Sequence, residues 1–532
     1  MSYAQDATVE DPPHPDGGRA DASAPSRTQA AIAGALAVVA GLGAAELSAG
    51  LLPGARSLVI AVGDTVIDLV PGWLERAAIS VLGTADKPVL LLTIVAITGL
   101  VGAALGILAT RRFTAAASAL AGLAVVGAVA ELRDPRAESL AVVLVAAAFA
   151  LAGIGVLRLL LRAAAPRASA DRAQTMDAVS RRRFLQQAVA VAGAAALAGF
   201  YGSIRTGRSH VEQIRAAIRL PRPARAAPAV PAGATVAVPG VSRLFTPNAG
   251  FFRIDTALSV PRVDPADWSL TVSGRVDRPF RLSYADLMAL PQVEADITLA
   301  CVSNEVGGDL VGNARWQGVP LRSLLDRAGV RSGTTQVVGR SVDGFTAGFP
   351  IESAGGDALV AVAMNGEPLP VVHGFPARLV VPGLYGYVSA TKWLSAIELT
   401  TFEETVGYWV PRGWSARGPI KTQSRIDVPR AGSELAPGRR PIAGVAWAPT
   451  RGIAAVEVRI DDGPWVPARL AAPVNDDCWR QWVHAWDATP GDHDITVRAT
   501  DGAGETQTAM RASVAPDGAS GHHRIEVSVG DA

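Results

Sequence analysis

The stretch Ile297-Thr-Leu-Ala-Cys301-Val-Ser-Asn304 holds one of only two cysteines in 532 residues. Its apolar run ends at Cys301 and passes at once into small and polar residues: Ser303 and Asn304, then Gly307-Gly308-Asp309 and Gly312-Asn313-Ala314-Arg315-Trp316. A free cysteine is most often a small buried hydrophobe. A strand that ends in a polar lip offers instead a place where a soft thiolate can meet a high-valent metal. Downstream stand His373-Gly-Phe-Pro-Ala-Arg378-Leu-Val-Val and Thr391-Lys392-Trp393-Leu394. An arginine that interrupts an apolar strand calls for an anion such as phosphate. Lys392 has similarly apolar neighbours, whereas His373 taken alone suits a satisfied core position equally well. Three cationic donors on adjoining strands would cradle a phosphate, with Gly383 and Gly386 permitting close backbone approach. One thiolate beside such a cradle suits a metal held next to a phosphorylated organic cofactor.

Composition excludes several other classes. The net charge is +1, which offers nothing to nucleic acid. Neither cysteine lies in a C-x-x-C, so zinc and iron–sulfur sites are disfavoured, and two cysteines cannot build a disulfide framework. No histidine falls between residues 28 and 205, which removes bis-histidine haem from that half of the chain.

That half carries the excess of hydrophobic residues. Uncharged apolar runs at 28–45, 88–110, 113–130, 139–157 and 184–204 are each about the roughly 17–25 residues needed to cross a bilayer. The stretch 57–83 contains Asp64, Asp68, Pro71, Glu75 and Arg76 and reads as interfacial or re-entrant rather than as a span. Arg111, Arg112 and the basic residues from Arg158 to Arg183 place their loops in the cytoplasm, and everything after residue 205 outside. Ser180-Arg181-Arg182-Arg183-Phe184-Leu185 before an Ala/Gly-rich segment reads as a twin-arginine export signal or as an ordinary basic flank. Export of a folded domain would suit an enzyme that acquires a bulky cofactor before crossing. Residues 1–27 read as a disordered polar tail and 206–240 as a semi-extended Ala/Pro linker.

The remainder is patterned as a globular protein. Trp268-Ser-Leu-Thr-Val-Ser-Gly274 alternates like a strand, Ser283-Tyr-Ala-Asp286 is a capping box, and Pro320 with Gly329 brackets a second helix. Mixed short strands and helices predict an α+β domain. After about residue 420 only strand-like segments remain, separated by turn residues such as Asp461-Asp-Gly463, and these predict a β-sandwich whose core includes Trp479, Trp482 and Trp486. Cys478 reads as structural.

Several pieces, in order, resemble the sulfite-oxidase family of molybdopterin enzymes: Pro247-Asn-Ala-Gly-Phe-Phe252, Trp268–Gly274, the Cys301 strand, Ala314-Arg315-Trp316, Asn365-Gly-Glu-Pro-Leu-Pro370, His373–Arg378 and Lys392-Trp393-Leu394. The apolar runs divide the first half into a transmembrane bundle at 28–162 and a basic loop with the last span at 163–205; the resemblance implies an α+β molybdopterin domain at 241–415. An immunoglobulin-like dimerisation domain follows at 420–530. It implies Cys301 as the sulfur ligand of molybdenum, with Asn304 and Arg315 beside the reacting centre. Asp343, His373, Arg378, Thr391 and Lys392 are implied on the molybdopterin and its phosphate. The departures are specific. Glu305 and Val306 stand where the family carries arginines, Asp255-Thr256 replaces an Asn-His pair, and the family's active-site tyrosine has no clear counterpart near Tyr408 and Trp414.

The implied activity is two-electron oxo transfer on the outer face of a membrane. Its substrate would be a small molecule other than classical sulfite, and its partner an electron carrier or quinone. A homodimer through the C-terminal domain is implied as well. The alternative is a membrane-displayed, non-catalytic binding module with a degenerate oxidoreductase fold. A transporter built on 28–205 would need paired broken helices, which the sequence does not suggest.

Overall fold

The computed structural model describes residues 25–531, except 53, 72–73, 75–77, 79–80, 83–84, 135–136, 166–172 and 208–209, and omits the side chains of 173–181 and 203–207. The expected tail up to residue 24 and the Ser180-Arg181 side chains of the export signal lie outside the described residues, as does much of 70–84.

Apolar composition and length produce the first helices: α1 (Arg27–Leu51), α2 (Leu58–Leu69), α3 (Asp86–Ala109), α4 (Phe113–Glu131), α5 (Ser139–Ala164) and α6 (Ala173–Gly207). Ser26 opens α1 with a capping box to Gln29. Five helices are long and apolar enough to cross a membrane: α1, α3, α4, α5 and the Arg182–Gly202 portion of α6. At twelve residues, α2 is too short to cross on its own. Small residues set the spacing in this unit. A Cβ on Gly34 would lie 2.0 Å from the Gly102 carbonyl oxygen, so α1 and α3 touch backbone to backbone.

A second unit holds residues 207–532 together with 64–86 and 134–136. The Ala/Pro stretch is extended, but it does not hang free. It begins with α7 (His210–Ala217), where Arg215 donates to the Leu369 carbonyl at 2.7 Å, and the Ala224 N–H donates to Gln292 O at 2.7 Å. The expectation of a simple linker misses these contacts because the partners are distant in sequence.

Two sheets and three short helices follow. The strands are β1 (Ser269–Gly274), β2 (Phe280–Ser283), β3 (Val293–Ala300), β4 (Val311–Pro320), β5 (Gln336–Ser341), β6 (Thr346–Pro350), β7 (Leu359–Met364), β8 (Glu367–Pro368), β9 (Arg378–Val380) and β10 (Leu394–Thr400). The helices are α8 (Tyr284–Ala289), α9 (Leu321–Ala328) and α10 (Gly386–Ser389). One sheet runs β2-β1-β10-β5-β6 and the other β3-β4-β7-β8, with β9 paired to β7. Both contribute to one core through residues such as Leu270, Ile397, Val360 and Leu379. A second core around Ile297, Trp316, Leu359 and Phe375 covers the other face of the β3 sheet. Burial on both faces explains why β7 reads Leu-Val-Ala-Val-Ala-Met, with no polar alternation. The Ser283 cap opens α8 and the left-handed Gly329 ends α9, as the sequence predicts.

The C-terminal strands are β11 (Gln423–Val428), β12 (Glu434–Leu435), β13 (Gly438–Trp447), β14 (Ile453–Ile460), β15 (Val466–Pro467), β16 (Arg469–Leu470), β17 (Arg480–Ala488), β18 (Gly491–Asp501) and β19 (His523–Val529). They form the sheets β11-β13-β17-β16 and β12-β19-β18-β14-β15, which share a core containing Trp482 and Trp486. Trp479 departs from expectation. It packs with Ala300, Val302 and Tyr385 of the preceding domain, because its N–H and indole bond to Thr298 Oγ1 and Leu244 O.

Candidate active site

Cys301 is the first residue after β3, and its N–H donates to the Leu310 carbonyl at 2.9 Å. The chain turns back between these residues into β4. Asn304 closes that loop by accepting the Leu310 N–H at 2.8 Å through Oδ1. Cys301 is 7% exposed and not disulfide-bonded. Burial pushes its thiol pKa up, while the Ser303 N–H and the nearby Lys392 charge act against that rise.

The cationic residues come together through irregular backbone rather than on adjoining strands as expected. His373 ends a single 3-10 turn, Arg378 opens β9, and Lys392 lies in the link before β10. The Leu379 N–H donates to Thr391 O at 2.9 Å, which sets the two segments side by side. Gly374 has φ +107, and a Cβ there would lie 3.1 Å from both Arg378 Cβ and Lys392 Cα. Only glycine suits that crossing. Trp393 has φ +48, an uncommon conformation for a bulky residue, and is held by donating its indole N–H to Val371 O at 2.8 Å.

Burial pushes the Arg378 pKa down to about 9. The guanidinium donates to His373 O at 3.1 Å and lies over the Trp316 ring, and it meets no carboxylate among the described residues. Lys392 is likewise lowered by burial, to about 8, although Asp255 opposes the shift. Its Nζ meets the buried Asp255 carboxylate at 2.9 Å, and Arg253 binds the same oxygen at 2.9 Å. His373 is neutral at physiological pH. Burial, then the Arg378 charge, takes its pKa down to about 4, and Nε2 donates to Asn248 O at 3.0 Å. The cradle therefore has two cations and one neutral imidazole, not three cations.

Cys301, Asp343, His373, Arg378 and Lys392 all line one cleft with about 780 Å³ of space, part of it open to solvent. Asp343 sits in the turn between β5 and β6, accepting the Phe345 N–H at 3.1 Å. Asn304, Arg315 and Thr391 do not line the cleft. Asn304 is occupied in its own loop. Arg315 grips the buried Asp296 with Nε–Oδ1 at 2.7 Å, so its charge is already matched. Thr391 is fully buried, and its Oγ1 has no hydrogen-bond partner among the described residues. Glu305, which stands where the family carries an arginine, is exposed and off the cleft.

The sequence reading missed the aromatic wall. Tyr387, Trp409 and Phe345 line the cleft, whereas Tyr408 and Trp414 do not. The latter two are the links that join the wall, with Phe345–Tyr408 centroids 5.6 Å apart, Trp409–Trp414 6.2 Å and Tyr387–Trp414 5.8 Å. Tyr387 sits two residues from Tyr385 in a segment singled out only for its glycines. Trp409 adjoins Tyr408 with no motif to separate them.

These residues fit a phosphorylated metal cofactor. A buried guanidinium without a carboxylate is costly unless an anion joins it. A soft thiol borders the same space. Among the described residues, no three His, Cys, Asp or Glu side chains could hold a metal by themselves, so further ligands would come from the cofactor. The cleft thus suits a phosphorylated cofactor that brings most of its metal's ligands with it.

Residues 257–409 match the family described as oxidoreductase molybdopterin binding domain. The chain is similar to the uncharacterized oxidoreductase YuiH of Bacillus subtilis (strain 168), 38% identical over 29% of this chain and 76% of that protein. It is similar to sulfite oxidase of Arabidopsis thaliana, 30% identical over 43% of this chain and 70% of that one. Sulfite oxidase of Gallus gallus is 30% identical over 45% and 62%, so the match leaves more than a third of that relative uncovered. The chain belongs to the sulfite-oxidase family and is a molybdopterin-dependent oxidoreductase.

Proposed function

We propose that the cleft carries out two-electron oxo transfer on a neutral organic substrate, such as an S- or N-oxide, or its reduced partner. When bound, the molybdenum–molybdopterin cofactor would supply a two-electron redox centre, one that accepts the oxygen atom of an oxide or gives one to its reduced partner, with the electron carrier balancing the two electrons. The observation that carries this reading is the Cys301 thiol lining the same cleft as Arg378, a buried cation with no carboxylate. Cys301 would hold the metal through its sulfur, losing the proton that burial now favours. Arg378 and Lys392 would take the cofactor phosphate, and Asp343 a polar edge of the pterin. His373, whose Nε2–H already goes to Asn248 O, would reach the phosphate as a donor only through a protonated Nδ1, which a bound anion would favour. Thr391 has a free hydroxyl to offer that phosphate if the adjoining backbone adjusts.

The substrate class follows from charge. The cations lining the cleft are Arg378 and Lys392. With those on the phosphate, none lines the cleft to meet a dianion, and Tyr387, Trp409 and Phe345 offer apolar surface instead. Removing a cation from a charged pair at about 4 Å forfeits roughly 4 kcal/mol at an effective dielectric of 20. Poor sulfite turnover is therefore expected.

The apolar helices support a membrane-bound enzyme. Five spans with basic loops inside would place the catalytic unit on the outer face, with Arg181–Arg183 serving twin-arginine export. An electron carrier or quinone would exchange electrons there. The C-terminal sandwich would have immunoglobulin-like character and serve a homodimer. The test is metal and pterin analysis of protein from a cofactor-competent host, then a substrate screen with an artificial electron mediator. About one molybdenum per chain and turnover of a neutral oxide are expected. Absence of molybdenum would overturn the reading, and efficient sulfite oxidation would overturn the substrate class.

A further inference from the structure

The C-terminal sandwich reaches the cysteine from two directions. At one end it caps the exposed edge of β3, which is the outermost strand of its sheet. The Thr298 N–H donates to Asp477 O at 2.9 Å, and Asn475 Nδ2 and Cys478 Sγ both donate to Asp296 O, at 3.0 and 3.2 Å. These bonds pin the strand three to five residues before Cys301.

At the other end the sandwich holds the loop that follows. Arg425 on β11 is 9% exposed and uses all three of its guanidinium nitrogens. Nη1 donates to the Gly308 carbonyl at 2.7 Å, Nη2 to Ser242 Oγ at 2.8 Å, and Nε to Asp427 Oδ1 at 2.7 Å. Asp427 in turn accepts the Ser242 N–H at 2.9 Å. His523, at the start of β19, accepts the Ile426 N–H through Nδ1 at 3.0 Å. Its ring lies against Gly307, where a Cβ would sit 2.3 Å from Cδ2. Gly307 has φ +83, so the loop turns against the imidazole in a conformation that glycine alone adopts readily.

Within the loop, the Gly308 N–H donates to Glu305 O at 2.8 Å and the Asn304 N–H to Cys301 O at 3.1 Å. The chain of contacts thus runs from Arg425 and His523 through Gly307-Gly308 and Asn304 to Cys301. A ligand-bearing loop between two strands would otherwise open locally at low cost. Here a buried charged donor and a packed ring from another domain close it.

We infer that Arg425 and His523 are positioning residues for Cys301, so that the sandwich forms part of the catalytic centre. This rests on the reading of Cys301 as the sulfur ligand. Neither residue lines the cleft, so each acts through the loop.

The test uses the full-length, cofactor-free chain in detergent and follows iodoacetamide labelling of Cys301 by peptide mass spectrometry, with Cys478 as internal reference. Cys301 is 7% exposed where it borders the cleft, so a rise in its labelling above that of the unsubstituted protein reads loosening of the loop around it. Arg425→Leu is expected to speed Cys301 labelling at least fivefold while Cys478 labelling stays unchanged. Arg425→Lys, which can still reach one carbonyl, is expected to restore most of the protection. His523→Ala should give a smaller rise in the same direction, and it stands alone if Arg425→Leu fails to fold. Unchanged Cys301 labelling in the folded variants would overturn the inference, as would equal acceleration of both cysteines. The readout needs no molybdenum, so it stands apart from failure of the oxo-transfer reading. In loaded enzyme, the same variants should lower kcat with little change in KM and alter the Mo(V) paramagnetic resonance spectrum.

Discussion

The two cysteines sit at the two ends of one strand's surroundings and have opposite prospects. Both are buried, and burial raises both thiol pKa values. Cys478 donates to Asp296 O, and the Asp296 and Asp477 charges push its thiol still further from ionisation. Cys301 borders a cleft, and Lys392 pulls its thiol the other way. Burial alone makes a cysteine inert, whereas a neighbouring cation and open space suit Cys301 to the ligand role proposed for it. Cys478 ties down the strand that leads to Cys301.

The sharpest way to break this contrast is to remove each sulfur. Cys301→Ser is expected to cut oxo transfer by at least about 10²-fold, since losing even an outer-shell partner of a metal ligand costs up to about that much. Cys478→Ser should stay within about threefold, since a hydroxyl can still donate to Asp296 O and the loss is near 1 kcal/mol. Steady-state assays of both decide it, and equal losses would erase the distinction.

Arg378 offers a contrast between loaded and empty protein. Arg378→Met removes a charge-assisted hydrogen bond to phosphate, about 1.5–3 kcal/mol, and should lower bound pterin roughly tenfold or more under limiting cofactor. The same change removes an uncompensated buried charge from the empty protein, so the melting temperature of cofactor-free protein should hold or rise. Pterin fluorescence and calorimetry together read both outcomes.

Acid should loosen the catalytic unit. His373 and His523 each fall from 6.5 to about 4 in the fold, His523 through burial and then the Arg425 charge. Because the folded pKa values are depressed, their stabilising contribution is complete above pH 6.5 and lost as pH falls towards 4, by up to about 3 kcal/mol each. Asp477 works the other way, since burial raises it from 3.8 to about 6 and its contribution is lost as pH rises through that range. Two histidines against one aspartate leave a net loss between pH 6.5 and 4. His523→Gln should shrink the difference in melting temperature between pH 7 and pH 4.5.

The smallest effect belongs to Glu305. Its side chain is exposed and off the cleft, so Glu305→Gln should change sulfite kcat/KM by less than about twofold, as for other surface substitutions. A large gain would show that the Cys301 loop turns inward during turnover.

Much of the site could be read from the chain because its chemistry is local in sequence. Cys301 at a strand end, Arg378 inside an apolar run and Lys392 before Trp393 are each recognisable from their neighbours. Asn304 and Arg315 misled for the same reason. They adjoin the right motif, but Asn304 bonds within its own loop and Arg315 answers Asp296 across the β3–β4 ladder. Asp255, Tyr387 and Trp409 reach the cleft from separate segments with no spacing that connects them.

Composition and periodicity by themselves determined the apolar helices, the α+β domain followed by strands, the capped ends of α8 and α9, and the pairing of one thiol with buried cations. These follow from short-range physics: hydrophobic run length, backbone capping, and the cost of burying charge without an anion. Only the tertiary structure decided that His373 is neutral, that Lys392 already meets Asp255, and that the sandwich grips the Cys301 loop through Arg425 and His523. Each of these depends on which distant groups share a buried space, because burial and proximity set a charge state and a loop's freedom, and neither is encoded in neighbouring residues.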